Sequence, residues 1–334
     1  MLQDKNFTVR EYGDDMRKKN GRWIVAVLML VLVGGFAWFA SGDFSARQLE
    51  GRRKLGAVYM TLNNPFYEVI DEEIRRAAEN HGDVLLSRDP ALNVGRQVEE
   101  VRHLIEDGVS LIFINPVDWQ NMEPALREAK NAGVPVIAID TDVADASYVA
   151  STVVSDNYNA GVQCAEDLLH RLPGGKIALL QHSQARSSID RMQGFKDTIA
   201  SHDAFEIVAE AECLGQLEIA MPAMEEILAD HEQIDVVMAL NDPAAMGAVA
   251  ALKNAGKSGD CLVYGVDGVP EVKEMILAGS LTATAGQSPR QIGRLAAEQA
   301  YRILSGEKAE TLIKLPTRLL TKETIDRNNS QGWD

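Results

Sequence analysis

Residues 107–118 read DGVSLIFINPVD, and residues 232–243 read EQIDVVMALNDP. Each is an apolar run of strand length that ends at an asparagine. Each is followed by a stretch of helical periodicity, 119–132 and 243–255, and then by a second apolar run. Those second runs are AGVPVIAIDTD (132–142) and AGKSGDCLVYGVDG (255–268), and both end at an aspartate. Asn115 precedes Asp140 by 25 residues, and Asn241 precedes Asp267 by 26. One strand–helix–strand unit therefore occurs twice. Two copies are too few for a solenoid and fit two similar lobes.

The same alternation extends in both directions. Candidate strands cover 54–60, 83–87, 110–114, 134–139, 149–154, 175–181, 205–211, 235–240, 261–266 and 281–285. Amphipathic stretches at 94–107, 119–132, 157–171, 188–202, 217–230 and 243–255 separate most of them. Another helix starts in TLNNPFY (61–67): Asn64 is a good N-cap and Pro65 suits the first helical position. Phe66, Val69, Ile70, Ile74, Ala77 and Ala78 follow at helical spacing. Strands alternating with helices make an α/β protein with parallel sheets covered on both faces, here two doubly wound, Rossmann-like lobes.

The chain has 334 residues, 46% of them hydrophobic, and a net charge of −16. Residues 1–42 hold six basic and four acidic side chains; the rest carries 27 basic and 45 acidic, a net −18. Such a surface repels phosphate backbones and argues against nucleic acid as a partner. Residues 23–40, WIVAVLMLVLVGGFAWFA, are uncharged and nearly long enough to cross a hydrocarbon core. Arg17, Lys18, Lys19 and Arg22 precede them, which keeps residues 1–22 cytoplasmic and exports the remainder. The run is long for a signal-peptide core, and an extended, partly acidic region precedes it. An uncleaved transmembrane anchor over 23–42, with a linker at 43–51, is favoured over cleavage near Ala40-Ser41-Gly42. Either outcome exports residues 43–334. Cys164, Cys213 and Cys261 are odd in number and lack metal-ligand spacing; Cys164 and Cys261 read as buried apolar residues, and Cys213 stays open.

Ligands of open parallel sheets bind beyond the carboxyl ends of the strands. Asn64, Asn115, Asp140, Asn241 and Asp267 all fall there. Two facing lobes would gather them into one cleft rich in amides and carboxylates, which suits a neutral polyhydroxylated ligand.

Taken in order, TLNNPFY (61–67), LIFINPVD (111–118), VPVIAIDTD (134–142), VVSDNYNAG (153–161), RMQGF (191–195), NDPAAMGAVAALKNAGK (241–257), VYGVDGVPE (263–271) and TATAGQSPRQIG (282–293) carry a resemblance. From about Lys54 to about Leu320 the chain resembles bacterial extracytoplasmic sugar-binding proteins of ribose-binding type, the type I periplasmic binding protein family. The resemblance implies two lobes, 52–154 with 288–316 and 155–287 with 317–334, joined by three crossings near Val154-Ser155, Gly286–Ser288 and Pro316–Arg318. It implies that Asn64, Phe66 and Tyr67 contact ligand from the first loop, the aromatics by stacking. Asp140 would contact ligand from the first lobe, and Arg191, Asn241, Asp267 and Gln287 would supply the remaining polar contacts; Asn115, at its strand end, and Thr141 and Asp142, which follow Asp140, complete the candidate ligand-binding set. The family's ribose binders carry an arginine where Thr141 stands here, followed by Asp142. They also have a serine in place of Met60 and an aromatic near Leu214-Gly215. These departures point away from ribose itself and toward another pentose, a hexose, an inositol-like polyol or an amino-bearing ligand.

The implied partner is an ABC permease that receives the sugar; a membrane histidine kinase or chemoreceptor is the sensing alternative. A monomer is expected, and no cofactor or metal is implied. A repressor of the lactose-repressor type shares this fold, but residues 1–42 supply an apolar segment in place of a helix-turn-helix. The sequence has no GxSxG, HExxH, Walker or GxGxxG motif, and its six histidines lack metal spacing, so an enzyme is not expected. His182, just past strand 175–181, is the one histidine placed to approach the cleft.

Overall fold

The computed structural model describes residues 51–327 and 330–333, together with Met29. Apart from Met29, the anchor expected at 23–42 lies outside these residues, as does the linker up to residue 50. Among the described residues, no helix is long and apolar enough to cross a membrane.

Among the described residues, twelve strands form two six-stranded sheets. In chain order the first lobe begins with β1 (Lys54–Val58), α1 (Pro65–Asn80), β2 (Val84–Arg88), α2 (Val94–Glu106), β3 (Ile112–Ile114), α3 (Glu123–Asn131), β4 (Val136–Asp140) and β5 (Ser151–Ser155). The second comprises α4 (Asn157–Arg171), β6 (Gly175–Gln181), α5 (Arg186–Ile199), β7 (Phe205–Glu212), α6 (Leu217–Asp230), β8 (Val236–Ala239), α7 (Asp242–Asn254), β9 (Leu262–Asp267), α8 (Pro270–Ala278) and β10 (Ala283–Gly286). The chain then returns through α9 (Pro289–Leu304) and β11 (Leu312–Leu315) and ends the second sheet with β12 (Arg318–Leu320).

The strand orders are β11-β5-β4-β3-β1-β2 and β12-β10-β9-β8-β6-β7. All pairings are parallel except β10 with β12. Position by position, β3 corresponds to β8 and β4 to β9, which is the repeat visible in the sequence. The chain passes between the sheets three times, at Asp156, at 287–288 and at 316–317. The crossings are laced together: Asp156 N–H donates to Leu315 O (2.7 Å), and Gln163 Nε2 donates to Thr317 O (3.0 Å).

Alternating side chains of the first sheet fill two cores. Leu55, Ala57, Phe113, Ile137 and Ile139 pack with Ile70 and Ile74 of α1 and Ile292 and Ala296 of α9. Val58, Ile112, Ile114, Val136 and Ala138 face Val101 and Leu104 of α2 and Leu126 of α3. The second lobe has one continuous core. Cys164 and Cys213 are buried there, and Cys261 is partly buried at its edge.

Several boundaries differ from expectation. The helix expected over 119–132 begins at Glu123. Asp118 accepts from the N–H groups of Gln120 (2.9 Å) and Asn121 (3.2 Å), so its side chain stabilises a turn where a helix was expected. Strands β11 and β12 were absent from the ten expected. Each is short, and β11 is half exposed, so neither forms an apolar run.

Candidate functional site

The carboxyl ends of β1, β4, β6, β8 and β9 converge on one cavity between the lobes. Its wall includes Met60, Asn64, Phe66, Tyr67 and Asp140 from the first lobe. His182, Ser187, Arg191, Leu214, Gln216, Asn241 and Asp267 are among its second-lobe residues. The space open to the centre of a water-sized sphere is only ≈ 20 Å³, room for about one water. The lobes are therefore closed, and a sugar-sized solute enters only as they part.

Contacts across the cleft mouth fit that closed form. Thr141 Oγ1 accepts from Ser187 N–H (2.9 Å), Trp119 N–H donates to Gln184 O (3.0 Å), and Asn63 Nδ2 donates to Gln216 Oε1 (3.2 Å). The guanidinium of Arg186 lies 5.1 Å from the Trp119 ring centre. Trp119 thus joins the lobes at the rim and does not line the cavity.

Asp140 and Asp267 end matching strands and share an unusual backbone. Their φ angles are 65° and 141°, a region that L side chains rarely adopt. Such strain clusters where the surrounding structure imposes it for function. Asp140 is held by Asn115, whose Nδ2 donates to its Oδ2 (3.1 Å) while Oδ1 accepts from Met60 N–H (3.0 Å). Buried Gln97 completes the support: its Nε2 donates to Asn115 O (2.8 Å) and its Oε1 accepts from Val117 N–H (2.8 Å). Asn115 therefore lies behind Asp140 and off the cavity wall. Tyr67 OH also reaches Asp140 Oδ2 (3.4 Å).

Asp267 is held from the other side. Gln287 Nε2 donates to its Oδ1 (2.7 Å), so Gln287, like Asn115, is placed behind a wall residue. The turn that follows is clamped by fully buried Asp242, whose Oδ2 accepts from the N–H groups of Gly268 and Val269, both at 2.8 Å. Asp242 Oδ1 accepts from Thr284 Oγ1 (2.6 Å). The Asp267 Oδ2 and Gln287 Oε1 atoms are buried without a hydrogen-bond partner. Two buried acceptors left unmatched are costly unless a ligand donor or water meets them.

Arg191, 3% exposed, is the cation of the cavity wall. Helix α5 brings it there through a tight crossing with α4. A Cβ at Gly161 would collide with Arg191 O, and one at Gly194 with Tyr158 O. Its Nε donates to Asn157 Oδ1 (2.9 Å), one Nη to Leu240 O (2.8 Å), and that Nη lies 3.9 Å from Asp267 Oδ1. Burial raises Asp140, and Arg191 opposes the shift. Burial, then the Asp242 charge, raises Asp267 well above the usual carboxylate range. Burial pushes Asp242 up to about 6 and holds His182 below the ordinary imidazole value.

Asn64 caps α1, its Oδ1 accepting from Phe66 N–H (2.9 Å). Asn241 caps α7 through Ala244 N–H (3.0 Å) and donates Nδ2 to Gly215 O (3.0 Å). That second bond fixes the Leu214-Gly215 turn, in which both residues have positive φ. Asp142 stands half-exposed off the wall, its carboxyl raised by burial and by Asp190. Ser187 and Gln216 line the cavity although no sequence pattern marked them.

Two doubly wound lobes, three crossings and an enclosed polar cavity between strand ends define a solute-binding protein of the type I periplasmic fold. A family model described as a periplasmic binding protein domain matches residues 55–308, and the chain belongs to that family. It is of the ribose-binding type, a class of binding proteins rather than enzymes. It is 32% identical over 271 residues to the ribose import binding protein of Bacillus subtilis, covering 80% of this chain and 87% of that one. Against the ribose import binding protein of Escherichia coli the identity is 31%, covering 80% and 90%. Among solved structures, it is similar to an ABC transporter solute-binding protein of Agrobacterium vitis with bound D-fucose. That match has 26% identity and a TM-score of 0.78, and covers 83% of this chain and 98% of that one. A Bacillus halodurans solute-binding protein with bound myo-inositol matches at 25% identity and a TM-score of 0.77, covering 84% and 99%.

Proposed function

We propose that this protein captures a neutral monosaccharide or polyol between its lobes and presents it, closed, to an ABC importer. The observation that carries this reading is the pair Asp140 and Asp267. Both are buried at matching strand ends, both are strained, and they face one cavity with Arg191 between them. Carboxylates accept from ring hydroxyls, Arg191 donates to them, and the faces of Phe66 and Tyr67 take the apolar side of the ring. Asn64 and Asn241 have committed their oxygens to helix caps, which leaves Asn64 Nδ2 as a donor for ligand. Asn115 and Gln287 act through the two aspartates, and Thr141 acts by joining the lobes at Ser187. The relatives' ligands, ribose, D-fucose and myo-inositol, support a neutral polyhydroxylated class.

Ribose is the least favoured member of that class. Thr141 offers a hydroxyl already engaged with Ser187 N–H, and the Leu214-Gly215 turn supplies no aromatic ring. Ligand favours closure because it contacts both lobes only when they meet. The uncharged run at 23–40, with basic residues before it, supports tethering of the binding domain outside the cytoplasmic membrane, where it acts as a monomer. A thermal-shift screen with pentoses, hexoses, 6-deoxyhexoses and inositols tests the ligand class. Saturable stabilisation by at least one is expected; stabilisation by none would reject the class. The intact mass of membrane-extracted protein tests the tether, with residues 1–42 retained.

A further inference from the structure

The chain beyond β12 returns toward the cleft. Residues 330–332 are fixed to α8 of the second lobe. Ser330 Oγ (2.6 Å) and Gln331 Nε2 (3.2 Å) both donate to Glu274 Oε1, and Lys273 Nζ donates to Gly332 O (2.6 Å). Lys273 is only 3% exposed, so this anchor is an internal one. Trp333 then reaches the other lobe. Its ring meets Phe66 edge to face, with centroids 5.9 Å apart and planes at 66°. It packs against the apolar cores of both lobes. It also borders a second cavity of ≈ 550 Å³, whose wall includes Asp267, Gln287 and the crossings at 286–288 and 316–318.

Trp333 is therefore anchored on one lobe and seated on a cavity-wall residue of the other. A contact of this kind is complete at one lobe angle and is strained or lost at others. It adds free energy to the closed state that the open state lacks, and so shifts the population toward closure. Its partner Phe66 is 1% exposed and lines the sugar cavity. We propose that the tail of residues 330–333 is a clasp: Trp333 favours the closed lobes and positions Phe66 against the ligand. Trp333 is not part of the sugar-cavity wall, so it is a positioning residue for the sugar site, and the inference rests on the reading of that site given above. The tail lies outside the residues matched by the family model.

The test compares Trp333→Ala, Trp333→Leu and Trp333→Phe in the full chain. The stabilising sugar from the thermal-shift screen is the probe, and small-angle scattering of each ligand-free protein reads the lobe opening. Trp333→Ala is expected to raise the sugar Kd about ten-fold, because the apparent Kd scales inversely with the closed fraction. Most of the change should appear as faster release. Its ligand-free radius of gyration should exceed that of the wild type. Trp333→Phe keeps an aromatic edge for Phe66 and should return the Kd to within about three-fold of wild type. If the alanine variant does not fold, Trp333→Leu keeps apolar volume without a ring and should still bind more weakly than Trp333→Phe. Unchanged Kd and unchanged scattering in the folded alanine or leucine variant would overturn the clasp. So would tighter binding, or weaker binding that phenylalanine does not restore. Wild-type protein that binds no sugar would instead refute the site reading, while the ligand-free scattering comparison would still decide whether Trp333 biases closure.

Discussion

Single residues divide into those that would touch ligand and those that hold them, and the sequence did not separate the two. Asn115, Asp140, Asp267 and Gln287 all sit at strand ends or crossings, where family position marks them as one set. Only the hydrogen bonds reveal that Asn115 positions Asp140 and that Gln287 positions Asp267. Asn115→Ala should leave Met60 N–H unpaired and release Asp140. A loss of about 1–3 kcal/mol in denaturant unfolding is expected, with weaker sugar binding. Asp267 has a pH signature. Its folded pKa is raised by burial, so its stabilising contribution is present below the ordinary carboxylate range and lost as pH rises through the raised value. Asp267→Asn removes that loss. The Tm difference between ligand-free Asp267→Asn and wild type should therefore grow in favour of the variant as pH rises above the ordinary carboxylate range. A difference independent of pH would show that Asp267 is not held out of its charged form.

At the scale of elements, alternation and periodicity recovered strands β1 to β10 and the doubly wound class. Two features escaped. Strands β11 and β12 complete the sheets through backbone pairing at their edges, which leaves little hydrophobic pattern in the chain. The start of α3 moved because Asp118 competes for backbone N–H groups, a choice that periodicity does not register. The α4–α5 crossing shows how an element serves the site. Gly161 and Gly194 let the two helices approach until backbone meets backbone, and Arg191 lies on that contact. Gly194→Ala has no space for its Cβ without moving α5. A destabilisation of about 1–3 kcal/mol is expected, since overpacking forces backbone shifts. Sugar affinity should fall with it, because Arg191 moves with the helix. Loss of stability without loss of affinity at temperatures where the variant is folded would uncouple the crossing from the site.

For the whole molecule, the repeat already implied two lobes with ligand groups facing one another, and the closed cleft joins them. What sequence left open was the rim and the tail. Thr141 to Ser187, Asn63 to Gln216 and Trp333 to Phe66 are contacts between segments far apart in the chain, and no local pattern announces them. Closure on a sugar should lower the radius of gyration of wild-type protein in solution, and scattering with and without the stabilising sugar reads this directly. The most direct test of the central claim is isothermal titration of wild type and Arg191→Ala with that sugar. Arg191 is the cation that donates from the second lobe into a cavity flanked by the acids Asp140 and Asp267. Saturable one-site binding by wild type, reduced at least about a hundred-fold in a folded Arg191→Ala variant, is the expected result. Equal binding by the two proteins would contradict a sugar site between Asp140, Arg191 and Asp267.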